Sequence, residues 1–188
     1  MPGKVIIFSA PSGSGKTTIV RELLARTDSL EFSVSATSRP PRVNEVNGVE
    51  YYFLSPAEFR QKIKNGDFAE WEEVYKDLFY GTLTSEITRI WKKGHHALFD
   101  VDVKGGLNLK RKFGQDALSF FVKVPDMKIL EERLRNRHTE NEASIRMRLR
   151  KAESETKFAE QFDVILLNDK LNEAVDKAYS LVMDFIGN

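Results

Sequence analysis

The sequence predicts an α/β fold in which a parallel sheet is flanked by helices. Three observations carry that prediction. Short apolar, β-branched runs alternate with stretches of helical periodicity along the 188 residues. The first run, "VIIFS", leads into the glycine-rich loop "APSGSGKTT" and then an amphipathic segment. One stretch, about 35–82, breaks the alternation with short strands and turns, as an insert at a sheet edge would.

Each element follows from local chemistry. Val5 to Ser9 reads as a buried strand. A helix from Lys16 to about Arg26 places Ile19, Leu23 and Leu24 on one face. "FSVSA" alternates as a strand does, whereas "TSRPPRVNEVNG" cannot be helical with Pro40 and Pro41 inside it. Tyr51 to Leu54 is strand-like. In "SPAE", Ser55 can cap a helix, Pro56 suits its first turn and Glu58 completes a capping box; Gly66 ends that helix. Trp71 to Val74 and Leu78 to Thr82 pair as a hairpin around "YKD". Leu83, Ile87, Ile90 and Trp91 have helical spacing. Ala97 to Val103 and Leu118 to Val124 are strands. Pro125-Asp126 opens a helix to about Arg135, and a charged helix runs from about Glu142 to Gln161. "VILLN" is a final buried strand, and Leu171, Val175, Ala178, Val182 and Ile186 mark the last helix.

The length suits one α/β domain with a sizeable core. Lys and Arg total 29 against 28 Asp and Glu, so the surface as a whole carries no signature of a nucleic-acid partner. With no cysteine, disulfides, thiolate nucleophiles and thiolate metal sites are excluded together. No apolar run is long enough for a signal peptide or a membrane span, so the expectation is a cytoplasmic protein without a membrane partner.

"APSGSGKTT" matches the phosphate-loop pattern G-x-x-x-x-G-K-[ST] except that Ala10 holds the place of the first glycine. Such a loop works because backbone N–H groups converge at a helix start. Ala10, Pro11, Ser12, Gly13, Ser14, Gly15, Lys16, Thr17 and Thr18 would cradle the phosphates of a nucleotide, which the resemblance given below implies is ATP. Lys16 would reach the β- and γ-phosphates, and Thr17 would offer its hydroxyl to Mg²⁺. Ala10 precedes Pro11, which pushes it into the extended region with negative φ; glycine's freedom is not needed there. The alternative is a structural glycine turn.

Arg39 and Arg42 are presented by "RPPR", whose prolines stiffen the chain. Paired guanidinium forks suit a phosphomonoester, and the Tyr51 and Tyr80 hydroxyls could complete the cup. A solvated basic turn is the alternative for Arg39 and Arg42, and core packing for the tyrosines. Asp100 and Asp102 alternate and so point the same way from a strand, towards Mg²⁺ through water or towards a base. His95 and His96 read as a surface turn.

At this point the chain resembles the guanylate kinases over nearly its whole length. "APSGSGKTT", "FSVSATSRPPRVNEVNGVEYYF", "FAEWEEV", "FYGT", "ALFDVDVKGG", "RLRNRHTENEASIRMRL" and "LLND" occur in that family's order and approximate spacing. The resemblance implies Mg²⁺-assisted phosphoryl transfer from ATP to GMP in a three-part fold. The parts are a P-loop core (1–34, 83–125 and 157–188), a small mixed α/β GMP-binding insert (35–82) and a helical, arginine-rich lid (126–156). It further implies that Arg39, Arg42, Tyr51 and Tyr80 hold the GMP phosphate. Ser35, Glu70, Thr82 and Asp102 would hold guanine. Arg133, Arg137 and Arg148 would be the lid arginines, Asn168 would lie near adenine, and Asp100 near Mg²⁺. Three departures stand out. Asn44 replaces a common glycine, Lys104 a usual glutamine, and His138 a usual glycine. Lys104 is expected to alter contacts near the phosphates, and His138 the bending of the lid.

The residue types suit the reaction. A phosphate monoester, with a second pKa of about 6, is already a nucleophile at neutral pH, so no general base is required. The obstacle is the repulsion of two polyanions, which Lys16, Mg²⁺ and the arginines would offset. A carboxylate at Glu70 would accept the adjacent N1 and N2 donors of guanine and reject adenine, which lacks them. By itself Glu70 reads as a surface carboxylate of a hairpin, and the guanine role comes with the resemblance. Two rivals remain at this level: a kinase-like protein-binding module, and a kinase acting on AMP or UMP.

Overall fold

The computed structural model describes residues 3–136 and 142–187; Arg137 and His138, named above, lie outside the described residues. The first half of the chain forms β1 (Val5–Ser9), α1 (Lys16–Arg26), β2 (Leu30–Phe32), β3 (Ala36–Thr37), β4 (Tyr52–Phe53), α2 (Pro56–Lys64), β5 (Phe68–Tyr75) and β6 (Leu78–Leu83). The second half forms α3 (Thr84–Lys92), β7 (His96–Val101), α4 (Val103–Phe113), β8 (Ala117–Lys123), α5 (Met127–Arg135), α6 (Glu142–Thr156), β9 (Val164–Leu167) and α7 (Leu171–Gly187).

Five strands make a wholly parallel sheet in the order β2-β7-β1-β8-β9. β1 is buried along its whole length, as a parallel strand covered on both faces must be. Ile6 and Phe8 pack with Ile19 and Leu23 of α1 and Val175 and Val182 of α7. Val5 and Ile7 pack on the other face with Ile87 and Ile90 of α3 and Leu109 of α4. The C-terminal ends of β1 and β7 lie side by side, and open α/β sheets bind ligands beyond such ends.

A second sheet has the order β4-β3-β6-β5 and its own small core. Phe59 of α2 stacks on Phe68 and Phe79 with ring centroids 4.3 and 5.2 Å apart. The capping box at Ser55 and Glu58 is formed, which starts α2 where the sequence places it.

The structure corrects four element assignments. "FSVSA" is not one strand: Phe32 ends β2 and Ala36 begins β3 in the other sheet. At the crossing, Ser33 N–H donates to Leu98 O at 2.9 Å, and Ser35 O accepts Tyr52 N–H at 2.9 Å. The alternating pattern is real but serves two sheets. Second, β7 ends at Val101 rather than at Val103, and α4 follows it directly. Gly105 and Gly106 argue against a helix by propensity. Gly106 is favoured by contact, since a Cβ there would lie 2.1 Å from Ser9 Oγ. Third, β9 is an edge strand, with Ile165 and Leu167 exposed and Leu166 buried. Fourth, α6 ends at Thr156 and a separate helical turn spans Ala159–Gln161.

Candidate active site

The loop after β1 closes on itself: Ser14 N–H donates to Pro11 O at 3.2 Å. Gly13 and Gly15 have φ of 94° and 89°, a left-handed region where a side chain is strained. Gly15 caps α1, so the loop delivers its N–H groups to a helix start. Among the described residues, only Asn44 and Asp77 have positive φ without being glycine. Ala10 is therefore not left-handed, as its place before Pro11 predicts. Asn44, at φ 76°, keeps the conformation for which glycine is common there, and asparagine tolerates it better than most residues.

Lys16 sits at the first position of α1 and reaches across to β7. Its ammonium is ion-paired with Asp100 and donates to Val101 O at 3.1 Å. Thr17 Oγ1 donates to the other Asp100 oxygen at 2.7 Å. Burial pulls the Lys16 ammonium down to about 8, and the nearby Asp102 and Glu155 charges partly oppose that. The loop is also held from behind. Asn168 is buried, and its Nδ2 donates to Ser14 O at 2.7 Å. Arg133 of α5 donates to Ser14 O at 3.3 Å, and Arg148 of α6 to Ser12 Oγ at 2.6 Å. The loop, Asp100, Arg148 and Lys151 line a cleft of about 400 Å³.

A second cavity, of about 280 Å³, gathers Ser35, Tyr51, Glu70, Tyr80 and Asp102. It shares Tyr51, Asp100, Val101, Asp102 and Lys151 with the first, so the two adjoin. Glu70 lies on β5 opposite Thr82 of β6. Thr82 is fully buried and donates to Glu70 Oε1 at 2.9 Å; it is not on the cavity wall and acts through Glu70. Burial pushes the Glu70 carboxyl up to about 7, and the charges of Asp102 and Glu72 add to the rise.

Several expected positions differ in detail. Asp102 does not alternate with Asp100 on a strand: β7 ends at Val101, and Asp102 caps α4 by accepting Gly105 N–H at 2.8 Å. Asn168 commits its amide to the phosphate loop. Arg39 and Arg42 lie outside the wall of the second cavity, and Arg42 is exposed. The Arg39 guanidinium stands 5.0 Å from the Tyr51 ring centre and is gripped by Glu45. Lys104 turns to Glu72 Oε1 at 2.7 Å rather than to the phosphate loop.

Sequence reading missed Glu45, Glu72, Lys151 and Glu155. Glu45 had a signal, since a carboxylate three residues after Arg42 in a proline-stiffened turn can fold back on the pair. Lys151 and Glu155 sit on a charged helix with many similar residues, and nothing in the sequence singles them out.

A glycine-rich loop at the head of a buried parallel strand, with a lysine anchored across the sheet, defines a nucleotide-binding protein of the phosphate-loop class. The guanylate kinase family model matches residues 2–184. A guanylate kinase of Bacteroides fragilis is 52% identical over 184 residues, covering 98% of this chain and 90% of that one. One from Porphyromonas gingivalis is 47% identical, covering 97% and 98%. The crystal structure of guanylate kinase from Anaplasma phagocytophilum superposes with a TM-score of 0.77 at 26% identity, covering 99% of this chain and 87% of that one. The chain belongs to the guanylate kinase family, enzymes that phosphorylate GMP with ATP.

Proposed function

We propose that this chain transfers the γ-phosphoryl group of ATP in line to GMP, and to dGMP, giving ADP and the nucleoside diphosphate. The observation that carries this reading is the shared wall of the two cavities. A phosphate-loop cleft and a pocket built around the Glu70 carboxylate meet at Asp100–Asp102. ATP takes the first, held by the N–H groups of residues 10–18 and by Lys16. GMP takes the second, with its base on Glu70.

Two roles follow from the chemistry of the groups. Glu70 accepts N1–H and N2–H of guanine, whereas adenine would turn a lone pair towards it. Thr82 holds one carboxylate oxygen, so the acceptor is oriented before the base arrives. Lys16, Arg133 and Arg148, with Arg137, offset the repulsion between the two phosphates; an arginine of this kind is worth on the order of 10³-fold in rate. Arg39, Arg42, Tyr51 and Tyr80 receive the GMP phosphate, which as a dianion needs no general base.

The donor set fits Mg²⁺. The Thr17 hydroxyl and the Asp100 carboxylate are hard oxygen groups on adjoining elements, held 2.7 Å apart. Mg²⁺ typically takes one or two such protein ligands and keeps water and phosphate for the rest. When bound, it would supply charge neutralisation across the β- and γ-phosphates. Thr17 would hold it directly and Asp100 through water.

The reading divides the chain into a core (1–34, 83–125, 157–188), an acceptor insert (35–82) and a lid (126–156) that closes over both nucleotides. It includes a cytoplasmic role in purine nucleotide metabolism and GMP recycling, with no nucleic-acid or membrane partner. No described helix is long and apolar enough to cross a membrane. ADP release with ATP and Mg²⁺, offering GMP, dGMP, AMP and UMP separately, tests it. Turnover is expected with GMP and dGMP alone, and none with GMP overturns the reading.

A further inference from the structure

The acceptor cavity concentrates negative charge. Glu70 and Glu72 are two apart on β5 and so stand on one face, with Thr82 and Tyr80 opposite them on β6. Both carboxylates line the cavity, and Asp100 and Asp102 join them from the end of β7 and the start of α4. Glu70 Oε1 is held by a neutral hydroxyl. Glu72 Oε1 accepts from Lys104 at 2.7 Å, while its Oε2 is buried with no hydrogen-bond partner among the described residues.

We propose that Lys104 is a positioning residue for acceptor recognition: by neutralising Glu72 it lets Glu70 keep the charge that receives the base. The inference rests on the guanine role of Glu70 given above. Lys104 itself is exposed and outside the wall of the acceptor cavity, so its influence on the base runs through Glu72.

The surrounding charges determine the sign. From β5 itself comes Glu72, from β6 the phenol of Tyr80, and from just before β4 the phenol of Tyr51. From the start of α4 come Asp102 and Lys104, from β7 Asp100, and from α6 Lys151. Lys112, farther along α4, is committed to Phe68 O at 3.3 Å, at the opposite end of β5. Among the described residues, three carboxylates thus line the cavity with Glu70. Removing the Lys104 charge leaves Glu72 bare and makes Glu70 harder to ionise. Two carboxylates two residues apart on a strand lie about 7 Å apart. At that separation, near a wet surface, the change is worth about half a pH unit.

The test is the pH dependence of kcat/KM for GMP, which reports groups of the free enzyme. In Lys104→Gln the acid limb moves up by about half a unit, raising KM for GMP about threefold below pH 7 while KM for ATP is unchanged. Lys104→Arg keeps the wild-type profile, and Lys104→Gln with Glu72→Gln returns towards it. A Lys104→Gln profile that does not move, or an equal change in both KM values, overturns the inference. Wild-type protein that does not turn over GMP overturns instead the reading beneath it.

Discussion

Arg39 and Glu45 form a two-pronged ion pair: Nη1 donates to Oε2 at 2.6 Å and Nη2 to Oε1 at 2.7 Å. The same Oε2 accepts the Arg42 N–H at 2.7 Å. One carboxylate therefore organises the whole "RPPR" turn and holds the Arg39 plane against the Tyr51 and Phe53 rings. The Arg39 fork holds Glu45 down to about 2.

That pairing predicts a selective loss. Glu45→Gln removes the charge but keeps the shape, so Arg39 loses its orientation. KM for GMP should rise about tenfold, the worth of one charge-assisted hydrogen bond, with KM for ATP unmoved. Steady-state kinetics with each nucleotide varied in turn decides the point. An unchanged KM for GMP would mean that Arg39 needs no partner to face a phosphate.

Asn168 makes the matching prediction for the donor side. Its amide meets Ser14 O and stands where a Cβ on Gly15 would be, 2.3 Å from Nδ2. Asn168→Ala should cost about 1 kcal/mol of stability, since Ser14 O loses its nearer donor and keeps Arg133. It should also raise KM for ATP more than KM for GMP. Denaturant unfolding and kinetics on the same preparation would show both effects; a larger effect on GMP would contradict them.

Glu70 and Lys16 predict opposite pH limbs. Glu70 rises to about 7, so its carboxylate is lost as pH falls through neutrality, and kcat/KM for GMP should decline below about pH 7. Ionisation of the GMP phosphate, near pH 6, steepens that limb. Lys16 is lowered to about 8, so its charge is lost as pH rises, and kcat/KM for ATP should decline above about pH 8. Profiles measured separately for the two substrates should show one limb each. The same limbs for both would contradict the assignment.

Much of this site is legible in the sequence because its chemistry is local. The phosphate loop needs Gly13, Gly15, Lys16 and Thr17 within a few residues, and the capping box at Ser55 and Glu58 is equally compact. Glu70 is another matter: its partners, Thr82 and Asp102, come from β6 and the start of α4. Without the family resemblance it reads as a hairpin carboxylate. The helix α4 was illegible because propensity and packing disagree at Gly105 and Gly106. Asn168 was placed by resemblance, but its bond to Ser14 lies 154 positions away in sequence, and no pattern carries it.

The glycine at 106 gives that lesson a test. Gly106→Ala improves local helix propensity yet forces a methyl group against Ser9 Oγ. Overpacking should win, lowering stability by about 1–3 kcal/mol. A denaturant midpoint at or above that of the wild type would show that propensity dominates instead.

The most direct test of the whole account is Glu70→Gln, assayed with GMP and ATP varied independently. The account predicts that KM for GMP rises roughly 10- to 100-fold, the worth of a hydrogen bond to a charged group, while KM for ATP stays nearly constant. Equal changes in both KM values, or none in KM for GMP, would contradict it.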